Sequence, residues 1–402
     1  MAFLYSTSIR LYAFLLWLIQ GVHPKAKSWV HGRKNYWENL PEINSSNLYW
    51  FHCASLGEFD QGIPVMNLLK EKDPSIQILV TFFSPSGMEH FHKRKHNADY
   101  VVYLPIDTPK NAKRFLNQFQ PKKVFFIKYE FWLNYLFEAK KRNIPTYSVS
   151  CILRPSQIYF KWYGGYFRKG LKCFTSYFVQ NQETKTLLEQ IGIQQVKLSG
   201  DTRFDKVIEN KNLVEKDEKI ELFLAGQKAI ILGSSWPVEE NLFHSYYQKV
   251  SGKSKVIIAP HDISEGHLAS IEKLFENQLI RYSQINESCD KNILLIDCIG
   301  KLANAYSYGK IAFIGGGFTG KLHNTLEPVV FGLPVIFGPK HKKFPEAQQF
   351  IEAGIGFSIE NINDFSSAMK YLEDNLTDIH NKCEREIDTS KGAAEKIVKE
   401  LN

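Results

Sequence analysis

Three short segments of this 402-residue chain gather acids, histidines, glycines and lysines directly after apolar runs. The first is His52-Cys53-Ala54-Ser55-Leu56-Gly57-Glu58, which follows Leu48–His52 and leads into a helical pattern. Small residues and Gly57 let the backbone turn tightly, and Glu58 falls in the first helical turn, where the dipole favours an ionised carboxylate. Such a carboxylate either completes the helix N-terminus or takes a proton from an attacking hydroxyl.

The second segment is the glycine run Gly315-Gly316-Gly317, followed by His323-Asn324-Thr325-Leu326-Glu327. Glycines leading into a helix start either offer backbone N–H groups and a positive dipole end to a phosphate, or serve only a tight turn. Glu327, one turn inside that helix, is placed to accept hydrogen bonds from a ribose diol. The pattern is neither a G-x-G-x-x-G fingerprint nor a P-loop. The third segment, Lys340-His341-Lys342-Lys343 after Pro334–Phe337, either steers an anionic donor, with Lys342 in contact, or is solvated surface. Smaller signals are Glu130 after Lys123–Ile127, a candidate acceptor-site carboxylate, and Ser234 and Ser235 after Ala229–Gly233, candidates to line a nucleotide pocket.

These segments need elements to hold them. From residue 48 onward, short apolar runs alternate with amphipathic stretches such as Ile63–Lys72, Pro109–Phe119 and Phe131–Arg142. Near-continuous apolar strands separated by helices predict a parallel sheet covered on both faces. The polar, lysine-rich stretch Lys206–Lys219 interrupts the alternation, which resumes at Ala229. Two α/β domains are therefore expected, 23–208 and 209–402, joined near 206–222. Ligands of such sheets bind at the carboxyl ends of strands, and a two-domain enzyme places its site in the cleft between them.

Composition narrows the partners. Fifty Lys and Arg against 42 Asp and Glu give a net charge of +8, which suits acidic small molecules or anionic lipid head groups. No zinc-finger spacing, aromatic RNA-binding box or long basic run points to nucleic acid. The six cysteines, at 53, 151, 173, 289, 298 and 383, are scattered without a C-x-x-C pair, which predicts reduced thiols and no metal site. Leu11–Ile19 is an unbroken apolar run about half the length that spans a bilayer. With Phe14, Trp17 and the following lysines it is expected to dip into a membrane interface as a helix over 1–22; the alternative is a buried first helix.

In order along the chain, these segments resemble the Kdo (3-deoxy-D-manno-octulosonic acid) transferase family. His52–Glu58 resembles the family's H-A-A-S-x-G-E, Glu130-Phe131-Trp132 its E-L-W, and Gly200-Asp201-Thr202-Arg203-Phe204-Asp205 its G-N-x-K-F-D. Gly233-Ser234-Ser235 with Glu239-Glu240 resembles G-S-T followed by paired acids. His323–Pro328 resembles H-N-x-L-E-P, and Gly338-Pro339 with Phe344 resembles G-P-x-x-x-N-F. Lys321 and Leu322 stand where the family has two glycines. Ser150–Arg154 lacks the arginine of N-A-R-L-S at the matching place, with Arg154 as its substitute. Pro260-His261-Asp262 departs from P-R-H-P-E-R.

The resemblance implies a GT-B fold: two Rossmann-like domains facing a cleft, with an N-terminal membrane-interacting helix. It implies an inverting, metal-independent glycosyltransferase without a cofactor, moving Kdo from CMP-Kdo to a lipid A precursor at the cytoplasmic face of the bacterial inner membrane, against its anionic surface. Glu58 would be the base, with Ser55, Gly57, Glu130 and Arg154 toward the acceptor. Ser234, Ser235, His261, Gly315, Gly316, Gly317, His323, Asn324, Glu327 and Lys342 would hold the donor. Rival readings are another GT-B nucleotide-sugar transferase or epimerase, and a catalytically silent membrane-associated scaffold.

Overall fold

A computed structural model of the chain describes residues 1–43, 45–250, 254–286 and 290–401. Cys289, one of the six thiols noted above, lies outside these residues; the other five are free. The chain divides into two compact units, Met1–Lys206 together with Lys391–Asn402, and Val207–Ser390.

The first unit is built on strands β1 (Leu48–Cys53), β2 (Gln77–Phe82), β3 (Tyr100–Tyr103), β4 (Lys123–Ile127), β5 (Thr146–Cys151), β6 (Ser176–Val179) and β7 (Val196–Leu198). They form one parallel sheet in the order β3-β2-β1-β4-β5-β6-β7. Every residue of β1 is buried, which a parallel sheet covered on both faces requires. Alternate side chains serve the two faces: Leu48 and Trp50 join Phe115, Phe126 and Tyr135 on one side. Tyr49 and Phe51 join Phe59, Ile63 and Phe125 on the other.

The second unit repeats the plan with β8 (Ala229–Ser235), β9 (Val256–Pro260), β10 (Leu279–Arg281), β11 (Ile293–Leu295), β12 (Gly309–Ile314), β13 (Val335–Phe337) and β14 (Gly356–Ser358), ordered β10-β11-β9-β8-β12-β13-β14. In each sheet the first strand has its sequence neighbours on one side and a later strand on the other. That reversal lies between β1 and β4 in the first sheet and between β8 and β12 in the second. Loops leaving those four strands therefore diverge and leave a crevice at the carboxyl edge. They carry the segments singled out by residue type, except Lys340-His341-Lys342-Lys343, which follows β13.

The lysine-rich stretch after 206 is helical over much of its length, Thr202–Asn212 and Glu218–Leu224. One departure from the expected boundaries concerns the end of the chain. After the long helix Ile362–Ser390, residues 391–402 return to the first unit instead of staying with 209–390. Asp205 receives them, accepting from the Gly392 N–H at 2.6 Å and the Ala394 N–H at 2.8 Å. Ala394, Ile397, Val398 and Leu401 then pack with Phe59, Ile63 and Met66 of the helix Leu56–Lys72.

The N-terminal helix runs unbroken from Ala2 to Ile19, and Ser6 is its only buried residue. Phe3, Leu4, Leu11, Phe14, Leu15, Trp17 and Leu18 are all exposed. By length and composition it is apolar enough to cross a membrane. A buried first helix is thus not what the chain forms. It is held to the unit by a hydrogen bond, the Tyr5 hydroxyl donating to Asp107 Oδ2 at 2.6 Å, and by ring contacts of Tyr5 with Phe167 at 6.0 Å and of Tyr12 with Phe83 at 6.2 Å.

Candidate active site

β1 ends at Cys53, and Ser55 adopts an extended backbone as N-cap of the helix Leu56–Lys72. Glu58, three residues on, turns back: its Oε2 accepts from the Ser55 N–H at 3.1 Å and from the Ser55 hydroxyl. This is a capping box, so the simpler sequence alternative is physically present. It accounts for one carboxylate oxygen only. Oε1 faces Lys128 Nζ at 3.5 Å, and the side chain is 12% exposed. Gly57 is exposed on the same turn.

Lys128 leaves β4 in the left-handed region, φ +70°, an uncommon conformation for a residue with a Cβ. Two residues on is Glu130, whose carboxyl is held above its ordinary range by burial and by the charge of Glu58, against a smaller opposite pull from Lys128. The loops after β1 and β4 thus bring two carboxylates and one ammonium into electrostatic contact. Arg154 sits exposed in the loop after the next strand, β5, its N–H donating to Gln157 Oε1 at 2.9 Å.

Beneath these groups His52 is fully buried. Trp132 Nε1 donates to its Nε2 at 2.9 Å, which leaves the ring proton on Nδ1, facing Thr81 Oγ1 at 3.0 Å. Trp50 Nε1 donates to the same hydroxyl at 2.8 Å. Desolvation drives the imidazole down to about pKa 3, so it is a neutral strut and not a proton carrier. It ties the loop after β1 to the Trp132 that follows Glu130. Neither Trp132 nor Lys128 was expected in the site, although Trp132 belongs to the segment Glu130-Phe131-Trp132 and Lys128 lies two residues before it.

In the second unit, Ser235 is buried and its hydroxyl donates to Glu240 Oε1 at 2.8 Å, while Glu240 Oε2 meets His267 Nε2 at 3.0 Å. Glu239 is also buried, and it accepts from the Gly316 N–H at 2.9 Å and the Trp236 N–H at 3.2 Å. The Gly315 N–H goes to the Gly233 carbonyl at 2.9 Å. Two of the three glycine amides expected to cradle a phosphate are therefore spent on holding the loops after β8 and β12 together. The glycines are needed for another reason. A Cβ on Gly315 would lie 1.9 Å from the Ser234 carbonyl oxygen, and one on Gly317 would lie 2.4 Å from the Gly338 nitrogen.

Three rings gather above this junction. His261 is exposed and packs on Trp236 at 4.6 Å and on His323 at 4.4 Å, while Trp236 Nε1 donates to His323 Nε2 at 3.3 Å. Burial, with some help from His261, holds His323 down to about 4. The helix expected to start at Asn324 is short, Leu326–Val330, and the Asn324 side chain is occupied by the Leu326 N–H and by Glu327 Oε1. Ser234, in the left-handed region at φ +51°, is half-buried at the end of β8. Lys342 is exposed on the segment after β13. Glu239 and Glu240, quoted above only as paired acids after Gly233-Ser234-Ser235, and His267, which no motif marked, are members of this cluster that were given no role from the sequence. Among the described residues, no group of three or more His, Cys, Asp or Glu is placed to hold a metal ion.

Residues 30–206 match the family model for 3-deoxy-D-manno-octulosonic-acid transferase (kdotransferase). That stretch of the chain is similar to the Kdo transferase family. Similar to it are the 3-deoxy-D-manno-octulosonic acid transferases of Aquifex aeolicus, 28% identical over 79% of this chain and 84% of that one, and of Chlamydophila psittaci, 25% identical over 90% and 86%. Among solved structures, UDP-GlcNAc 2-epimerase from Neisseria meningitidis superposes with a TM-score of 0.62 at 18% identity, covering 88% of this chain and 98% of that one. At that identity the likeness speaks for the fold, which is of GT-B type: two Rossmann-like units with parallel seven-stranded sheets. Glu58, Glu130 and Trp132 all lie inside the stretch that matches the Kdo transferase model.

Proposed function

We propose that the chain is an inverting glycosyltransferase that moves Kdo from CMP-Kdo to a lipid A precursor, working at the cytoplasmic face of a bacterial inner membrane. The observation that carries this reading is the state of Glu58. One oxygen is pinned by the Ser55 N–H and hydroxyl, and the other is left beside a single ammonium at the carboxyl edge of the sheet. A carboxylate so oriented accepts a proton from a sugar hydroxyl as that oxygen attacks the anomeric carbon. The bond from that carbon to the CMP phosphate oxygen breaks, and CMP leaves with the electron pair. Glu130 and Lys128 give the acceptor sugar a hydrogen-bonding wall, with Arg154 from the next strand. On the second unit, the ring cluster with exposed His261 offers a surface for a nucleobase, Glu327 an acceptor for ribose hydroxyls, and Lys342 a cation for the donor's acidic groups. The exposed apolar helix Ala2–Ile19 fits a membrane-borne acceptor. The family match and the relatives named as Kdo transferases support the choice of sugar.

Glu58→Gln is the decisive substitution, because the amide still accepts from the Ser55 N–H and keeps the cap while losing the base. CMP release from CMP-Kdo in the presence of a lipid A precursor is expected to fall about 10²–10⁴-fold, with donor affinity unchanged. Turnover near the wild-type rate removes Glu58 from the base role. Mass spectrometry of the product identifies the sugar transferred.

A further inference from the structure

The first unit holds a cavity of about 520 Å³ beside the N-terminal helix, and none of the residues assigned above to the transfer reaction lines it. Its walls include Trp17 of that helix, Trp29, Arg33, Tyr36 and Trp37 from the segment that follows, and Arg114. The volume is that of a small-ligand site.

Arg33 is the feature that needs a partner. Its guanidinium donates to the carbonyls of Phe83 at 2.8 Å, Leu104 at 3.1 Å and Trp29 at 3.2 Å. It lies over the rings of Trp29, Tyr103 and Phe83 at 4.1, 4.6 and 5.1 Å. These contacts fix the group but bring no negative charge, and among the described residues it makes no ion pair. Burial pulls its pKa down to about 10, which leaves it cationic at neutral pH. A half-buried, largely desolvated cation without a counter-charge is costly.

Two lining side chains add to the demand. The indole N–H of Trp29, a residue only 7% exposed, and the hydroxyl of Tyr36 are buried and have no hydrogen-bond partner. Arg114 lies 4.2 Å over the Trp37 ring and is exposed, as is Glu38 at the rim. Two guanidiniums and two unpartnered donors ask for an anion rich in oxygen. Trp17, 54% exposed and stacked on Phe14 at 5.9 Å, borders the same cavity, and the apolar side chains of its helix continue outward. An apolar chain attached to the anion would leave along that helix, with the indoles at the boundary where tryptophan is favoured.

We propose that this cavity binds the phosphate-bearing head group of an anionic phospholipid, with Arg33, Arg114, Trp29 and Tyr36 as donors and the acyl chains along the helix Ala2–Ile19. The site is independent of the Kdo transfer reading. Calorimetry of the full chain with dihexanoyl-phosphatidylglycerol, kept below its micelle concentration, tests it. One molecule is expected to bind per chain, and Arg114→Ala and Tyr36→Phe are each expected to weaken binding about tenfold, the weight of one charge-assisted hydrogen bond. Without ligand, Tyr36→Phe is expected to melt no lower than wild type, since it removes only an unpartnered hydroxyl; Glu58→Gln is expected to bind the lipid normally. Failure of wild type to bind, or equal binding by wild type and both variants, overturns the proposal. Displacement by inorganic phosphate at matching affinity overturns the lipid source and leaves a free oxyanion site.

Discussion

His52 and Glu58 bracket one seven-residue segment, from the end of β1 to the first turn of the next helix, and do opposite things with their charge. Glu58 is held by donors and faces an ammonium; His52 is sealed among Trp50, Thr81 and Trp132 and stays neutral. The unfolded chain takes up a proton at this histidine near pH ~6.5, whereas the folded chain resists until about 3. Between those values the unfolded state binds more protons, so this group makes stability rise with pH across that window and contributes nothing further above it. The effect integrates to a few kcal/mol at most, at about 1.4 kcal/mol per unit of pH. Asp107, raised to about 6 by burial, works in the opposite direction between its unfolded value and 6, so the wild-type curve is a sum. The clean measurement is a difference: urea unfolding from pH 4 to 6.5 in wild type and in His52→Gln. The variant's stability is expected to rise less steeply, by about one proton's worth. Parallel slopes would mean that the ring titrates in the fold. The sequence showed the acid and the histidine as neighbours in a motif. It could not show that one was solvated and the other sealed, because the residues that seal His52 come from β2 and from the loop after β4.

At the level of elements, the longer apolar strands were legible in outline because a doubly covered parallel strand has no polar face to obscure it. The three-residue strands β7, β10 and β14 were not, since they are only partly buried and carry polar or glycine residues, unlike the equally short but wholly apolar and buried β11 and β13. The glycine run after β12 was legible by residue type, with a phosphate cradle and a tight turn both left open by its pattern. Its first two amides are committed, and its missing side chains make room for the Ser234 and Gly338 backbones. What closes that junction is Glu239, 77 residues away from Gly316 in sequence, a pairing that no local pattern encodes. Gly315→Ala is therefore expected to destabilise the second unit by about 3 kcal/mol or more, because neither backbone segment can give way. Gly266→Ala, in the helix Glu265–Phe275 with nothing within 4 Å of the new methyl, is expected to be neutral or to stabilise by about 0.5 kcal/mol. Chemical denaturation of the two variants makes the comparison. Equal effects would show that the close approach at Gly315 is relaxed in solution.

At the level of the whole molecule, two units of the same plan are each closed by contacts distant in sequence. The division near 206 was visible as a change of composition; the return of the last helix was not, because nothing in an amphipathic stretch of seven residues says which core it will meet. Asp205 is the anchor, and its burial at this junction holds its carboxyl above the ordinary range. Asp205→Ala removes the acceptor for two backbone amides at a helix start, an expected loss of about 1–2 kcal/mol. Hydrogen exchange should report it locally: amides of Leu56–Lys72 exchange faster, while those of β8 and β12 keep their protection. Uniform loss across both units would contradict a local seat.

That seat has a bearing on synthesis. A ribosome delivers β1 and the helix behind it early, yet the apolar strip formed by Phe59, Ile63 and Met66 waits for Ala394, Ile397 and Val398, which are translated only after all of 207–390. Throughout that interval the helix Leu56–Lys72, which contains Glu58, has a bare flank. The nascent first unit is accordingly the part of this chain that should lean on a chaperone, and it is the last to be finished although it is the first to be made.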